Sequence, residues 1–124
     1  MLRRTAELVA SGANVDDVRT TVQGELVELL SLVECRYEPA PVMSTLPRIE
    51  RTGAVEGEHR RWIGGEFTLP GLGAEIPVAA RGHTYGRFVL IPNLSTGVSI
   101  EERIVAVALV DQLGAALAVE ASAA

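Results

Sequence analysis

Gly86-Arg87-Phe88-Val89-Leu90-Ile91-Pro92, a polar turn, and then Ser99-Ile100-Glu101-Glu102 running into Ile104–Val119 is the stretch from which the fold can be read. An apolar run bounded by Gly86 and Pro92 has the pattern of a buried strand. Ser99 followed three residues on by Glu102 is a capping box. The hydroxyl accepts from an early helix amide while the carboxylate reaches back to the cap's own N–H. The helix that opens there is expected to run to about Val119 or Ala121.

Working backwards, Glu75–Ala80 and Thr84–Ile91 read as a hairpin, with Arg81-Gly82-His83 as its connection and Gly82 supplying positive φ. Pro77 inside the first strand places that strand at an edge or at a bulge. Leu69–Gly73 is a turn, and Pro92–Gly97 a loop. Between Pro39 and Gly73 the signals are weaker. Arg48–Val55 suggests a strand turning at Gly53, and His59–Thr68 another that carries Trp62, Ile63 and Phe67. Val33-Glu34-Cys35-Arg36-Tyr37 alternates, which puts Val33, Cys35 and Tyr37 on one face of a half-buried strand.

Asn14 offers a helix cap, with Asp16 and Asp17 suited to the positive end of the helix. Val15, Val18, Val22, Leu26, Leu29 and Leu30 follow at helical spacing, so a helix is expected over Val15–Leu32. Gly24 inside it suggests the close approach of another backbone. Leu2–Ala10 is a short amphipathic stretch with Leu2, Ala6 and Val9 on one side. Residues 1–12 read as a lead-in or linker helix and 13–122 as one domain. Strands in mid-chain with helices at both ends imply an α+β domain, an antiparallel sheet with helices on it.

On a helical wheel, Ala106, Leu109, Val110, Leu113 and Leu117 form one side of the last helix. Ile104, Val107, Ala108, Ala115 and Ala118 form the other. A helix apolar nearly all round is expected to be buried nearly all round. Either a second copy of the chain or the Val15–Leu32 helix covers what the sheet does not, and a helix-mediated homodimer is the expectation. Asp111 stands among the small residues. Its carboxylate needs a cation, with Arg36 and Arg87 the candidates, unless it lies at a solvated rim.

The whole chain bounds the function classes. A net charge of −5 without a basic run disfavours nucleic acid and anionic lipid. No unbroken apolar run reaches the length of a membrane span, and no signal peptide is visible, so a cytoplasmic location and no direct membrane contact are expected. A single cysteine, Cys35, cannot form an internal disulfide or a cysteine-based zinc site. It reads as a core residue or a redox sensor. His59 and His83 lack metal-ligand spacing, and no nucleophile elbow, phosphate-binding loop or dinucleotide fingerprint is present. Neither a metal, a cofactor nor a catalytic set is expected. Arg48, Arg51, Arg60 and Arg61 form a loose basic group that could meet an anion or stay solvated.

The run Glu75–Leu90, with its Pro-hydrophobic pair and Gly-x-hydrophobic strand, and the run Val98–Ala118, with Ser-x-Glu-Glu and an Ala/Leu-rich helix, together resemble the C-terminal half of a GAF domain. Thr21–Tyr37 is similar to that family's opening half. More narrowly, the chain resembles the GAF-like domains of actinobacterial sensor proteins related to the KdpD type of sensor kinase. The resemblance implies a near six-stranded antiparallel sheet, N- and C-terminal helices packed together on one face and used for dimerisation, and a ligand pocket on the other face. The cyclic-nucleotide signature, the bilin-attachment cysteine and the several cysteines of the sulfoxide reductases are absent here. Pro39–Gly73, where that family has a helix and a long loop roofing the pocket, is short, Gly-rich and strand-like, which leaves both the roof and the pocket open.

The expected function is therefore that of a noncatalytic sensory or signalling module of a bacterial two-component sensor. It would act through a homodimer helix carrying Ile104, Ala108, Leu109, Leu113 and Leu117. A stand-alone protein binding a small molecule in an apolar pocket is the alternative, with Tyr37, Trp62, Phe67 and Phe88 as candidate ligand contacts.

Overall fold

The computed structural model describes residues 2–42, 46–56, 62–63 and 66–123. Helix α1 spans Leu2–Ala10, α2 Val15–Leu30 and α3 Ile100–Ala123. Strand β1 spans Leu32–Pro39, β2 Trp62–Ile63, β3 Glu66–Phe67, β4 Ala74–Ala80 and β5 His83–Pro92. The main sheet is antiparallel in the order β1-β5-β4, and β2 pairs with β3 separately. The fold is α+β, with the terminal helices packed together over the sheet: α2 lies on β1, α3 on β4, and α1 on both helices.

β5 is central because it is the most continuously apolar strand, and Phe88, Val89 and Leu90 are all buried. It joins β4 through a two-residue turn, one residue tighter than expected. Arg81 and Gly82 both have positive φ, at 53° and 76°, as a type I′ hairpin requires. Pro77 fulfils both of its expected conditions. β4 is an outer strand of the three, and its register shifts between Val78 and Ala79.

The expected face of β1 needs correction. A register shift between Leu32 and Glu34 turns Leu32 and Cys35 into the core together and leaves Val33 71% exposed. The extra residue breaks the strict period of two. Tyr37 stays on the core side, half-buried.

α2 opens as expected, with the Asn14 side chain accepting from the Asp16 N–H at 2.7 Å. It ends at Leu30 rather than Leu32. Ser31 adopts a left-handed conformation there, and its N–H closes on the Val27 carbonyl. Gly24 is exposed, and a methyl placed on it would touch nothing within 4 Å, so no backbone approach explains it.

α1 keeps Val9 of its expected face on the core, but Ala6 gives way to Thr5 and Leu8. Thr5 is fully buried and donates to Glu25 Oε2 at 3.1 Å, Leu8 and Val9 pack on the core, and Ala6 faces out. Glu25 lies inside α2's buried face, and Thr5 is the donor that rotates α1 into place.

Segment 46–56 closes the β4 side. Arg48 bridges Glu75 in parallel, and Ile49 bridges Val55 across a turn in which Gly53 has a φ of 85°. The expected strand over Arg48–Val55 is thus reduced to two bridges. In place of the single strand expected over His59–Thr68, the described residues show two short strands, β2 and β3, paired with each other; His59, Arg60, Arg61 and residues 64–65 lie outside the described residues.

The α3 capping box forms in full. Ser99 N–H donates to Glu102 Oε1 at 2.9 Å, and Glu102 N–H to Ser99 Oγ at 3.1 Å. Ala106, Leu109, Val110 and Leu113 are fully buried against the sheet and α2. By length and composition Ile100–Ser122 would suffice to cross a bilayer, although no unbroken apolar run does. One side of it is packed into the core here, while Ile100, Ile104 and Val119 are exposed.

Candidate functional site

Two surfaces stand out: the sheet face turned away from the helices, and the strip of α3 that the chain leaves open.

On the sheet face, Glu34, Arg36 and Glu38 of β1 alternate with the core residues and so share one side. Register then sets Glu38 opposite Arg87 of β5. Arg87 donates through Nε and Nη2 to Glu38 Oε1 at 2.9 and 2.8 Å, and through Nη1 to Glu75 Oε2 at 2.9 Å. Arg48 Nη2 stands 3.8 Å from Glu75 Oε1, and Arg36 bonds Glu34 at 2.6 Å and Glu38 at 3.2 Å. The result is a row of alternating charge, Glu34–Arg36–Glu38–Arg87–Glu75–Arg48.

Its centre is buried, with the Arg87 and Glu75 side chains 7% and 4% exposed. Arg87 hydrogen bonding, and after it that of Arg36, holds the Glu38 carboxyl below the usual carboxylate range. A cavity of about 110 Å³ lies beside Arg87, Glu75 and Pro77. This is the face where the resemblance places a ligand pocket; among the described residues it carries the ion pairs together with the buried Val89.

The aromatic candidates whose side chains are described, Tyr37, Phe67 and Phe88, do not converge there. Phe88 is fully buried on the helix side, and Tyr37 packs on it with ring centroids 5.4 Å apart. Tyr37 donates its hydroxyl to the Tyr85 carbonyl at 3.2 Å, and burial pushes its phenol pKa up. A groove of about 250 Å³ between the start of α2 and the end of α3 is lined by Tyr37, Leu113 and Leu117. Phe67 sits elsewhere, with the Arg103 guanidinium 4.2 Å from its ring centroid. Trp62 pairs with Phe67 through the backbone, and its side chain lies outside those described.

On α3 the buried arc takes in Leu109, Leu113, Val107 and Ala118, while Leu117 is half-buried. Leu109 and Leu113 thus have no surface with which to meet a partner. Ile104 (42% exposed) and Val119 (61%) face out, with Ala108 and Ala115 between them on the same strip. Asp111, on that strip's edge, is paired with Arg51 Nη1 at 2.6 Å and not with Arg36 or Arg87, which are engaged within the charged row.

The sequence places Arg51 in the loose basic group but does not mark it as the partner of Asp111, because the pair joins a loop to a helix across the fold. Nor does it mark Arg103, a buried cation within the α3 pattern. Arg103 donates to the Gly53 and Val98 carbonyls, each at 2.6 Å. Among the described residues no cluster of His, Cys, Asp and Glu could hold a metal ion. Burial, and to a lesser degree Glu34, pushes the Cys35 thiol up to about 12.

Compared with protein-family models, with curated proteins and with solved structures, the chain matches none. What the fold and its surfaces define is an α+β domain with a layer of helices on one sheet face and an ionic row on the other.

Proposed function

We propose that the chain is a noncatalytic, GAF-like sensory or signalling module of a bacterial two-component sensor, working through a helix-mediated homodimer. The observation that carries this reading is the open strip of α3. Ile104, Ala115 and Val119 are exposed and Ala108 half-buried along one line, beside the Asp111–Arg51 pair and, at Ile104, the 50–53 turn, on a helix whose opposite side is locked into the core. Such a helix couples the core rigidly to whatever it touches.

The GAF likeness rests on the sequence runs quoted above. The antiparallel order β1-β5-β4 with terminal helices on one face is compatible with it. In this reading the signal shifts the contact along Ile104–Val119, because Leu109 and Leu113 are occupied inside the chain.

Light scattering on the purified protein tests the reading. Ile104→Glu is expected to lower the mass while leaving the helical circular dichroism intact. Leu113→Glu, by contrast, is expected to unfold the chain. A wild-type protein that stays monomeric at every accessible concentration sinks the dimer.

A further inference from the structure

We propose that the free edge of β1 pairs antiparallel with β1 of a second copy, with Tyr37 on the two-fold axis, to make one continuous sheet. This goes beyond the helix contact proposed above and does not depend on it.

The sheet has two edges, and one is taken. Beside β4, Ile49 N–H donates to the Glu75 carbonyl at 3.0 Å and Glu75 N–H to the Pro47 carbonyl at 2.8 Å. Beside β1 no strand lies among the described residues. The orientation of that edge follows from its register. Ala40 N–H bonds the Tyr85 carbonyl, next in register after Pro39↔Gly86. Residues 36, 38 and 40 therefore bond β5, and 35, 37 and 39 turn their backbone groups outward. An open groove lined by Arg19, Gln23, Arg36, Tyr37 and Pro39 runs along this edge.

The outward groups are self-complementary in one register. Two Tyr37 residues on the axis exchange both N–H···O bonds, and each Cys35 N–H meets the carbonyl of Pro39 in the second copy. Pro39 has no N–H to return to the Cys35 carbonyl. That carbonyl already accepts from Gln23 Nε2 at 2.7 Å within its own chain. The missing donor and the satisfied acceptor thus fall opposite each other.

Side chains agree with the backbone. Arg36 comes opposite Glu38 of the second copy, and Glu38 opposite Arg36, in the closely spaced non-hydrogen-bonded pairs. The alternating charge on the ionic face of each copy then continues across the seam. Moving the axis to Pro39 removes both central donors. Moving it to Cys35 runs Tyr37 against Val33, where the strand register breaks.

This edge lies at the α2 end of the helix layer and α3 at the β4 end. The two contacts do not compete, and together they carry self-association past a dimer.

Arg36 is exposed, so Arg36→Glu alters the seam without entering the core. Light scattering and amide exchange are measured from dilute to concentrated protein for wild type, Arg36→Glu and Ile104→Glu. The expected result is slowed exchange at the Tyr37 and Cys35 amides in concentrated wild type. Arg36→Glu should lose that slowing and associate more weakly by roughly tenfold, as attractive pairs become repulsive. Tyr37 exchange that ignores concentration in the wild type overturns the proposal, as does an Arg36→Glu protein of wild-type mass. Failure of the helix contact shows separately, as an Ile104→Glu protein of unchanged mass. The wild-type exchange measurement stands even if a variant fails to fold.

Discussion

Gly114 of α3 lies directly on the backbone of Ala79 in β4: a methyl on Gly114 would stand 2.5 Å from the Ala79 carbonyl oxygen and 3.1 Å from its carbon. That contact sets how closely the last helix can approach the sheet. Helix propensity alone favours Ala over Gly by about 1 kcal/mol. At Gly114 the clash is with backbone, which cannot rotate away, so overpacking wins and Gly114→Ala is expected to destabilise by about 1–3 kcal/mol. Gly24 has open space around it, and Gly24→Ala is expected to stabilise by about 0.5–1 kcal/mol. Urea denaturation of the two variants should therefore move the midpoint in opposite directions. Equal shifts of the same sign would show that α3 does not rest on β4 at this point.

The centre of the charged row predicts a second asymmetry. Arg87→Met leaves Glu75 buried with, among the described residues, Arg48 at 3.8 Å for a cation. The expected cost is about 3 kcal/mol, the lower end for breaking a buried pair. Replacing Glu75 by Gln in the same protein should recover part of the loss, because the stranded charge is gone. Additive effects in that double-mutant cycle would show that the two residues do not interact.

The same row sets an acid limit. The Glu38 carboxyl is held below its ordinary range, chiefly by hydrogen bonding to Arg87 and then to Arg36. A depressed folded-state pKa contributes stability that is fully present above the unfolded-state value and is lost as pH falls through the folded one. Stability should therefore drop on acidification below the ordinary glutamate range, and the drop should be shallower in Glu38→Gln. Carboxyl NMR is expected to show Glu38 titrating below the ordinary glutamate range, and to show it moving up in Arg87→Met.

The parts of this fold that were legible in the sequence are those fixed by neighbours in the chain. The Ser99–Glu102 box, the Asn14 cap and the Arg81-Gly82 turn are each decided within a few residues, and so is the apolar run of β5. The row of charges was half legible. Alternation puts Glu34, Arg36 and Glu38 on one side, but only strand register brings Glu38 to Arg87. Val33 was misplaced because a bulge leaves no sign in an alternating pattern. Leu109 and Leu113 read equally well as core or as dimer contacts, since a wheel shows which residues are apolar and not what covers them. Asp111 and Arg51, sixty residues apart in number, meet only because the 50–53 turn folds back against α3.

Cys35 should be chemically silent in the folded protein. The thiolate is the reactive form, and burial pushes the thiol up to about 12. Against an ordinary thiol near 8.5, its reaction with a disulfide reagent at pH 8 is expected to be slower by roughly three orders of magnitude, and to reach the ordinary rate in urea. The linkage has the opposite sign to that of Glu38. A raised folded-state pKa gives stability that is fully present below the ordinary thiol range and is lost as pH rises from there towards 12. Rapid labelling of native protein would contradict the burial and remove the ground for treating Cys35 as a core residue.

Arg103 shows why an arginine interrupts an apolar helix. Its Nε and Nη1 donate to the carbonyls of Gly53 and Val98, and its plane lies 4.2 Å from the centroid of the Phe67 ring. One side chain thus holds the 50–53 turn, the entry to α3 and β3 together. Lysine keeps the charge but puts its donors on one nitrogen, in place of the planar fork that reaches both carbonyls from Nε and Nη1, and loses the stacked face. Arg103→Lys is expected to destabilise by about 1–3 kcal/mol, because a buried carbonyl is left without its donor. The loss should be local first. Limited proteolysis should cut near residues 50–56 in Arg103→Lys under conditions where the wild type is intact, while α2 and β1 stay protected in amide exchange. Uniform loss of protection would mean instead that Arg103 supports the whole core, and wild-type resistance at that turn would mean that its two carbonyl bonds are dispensable.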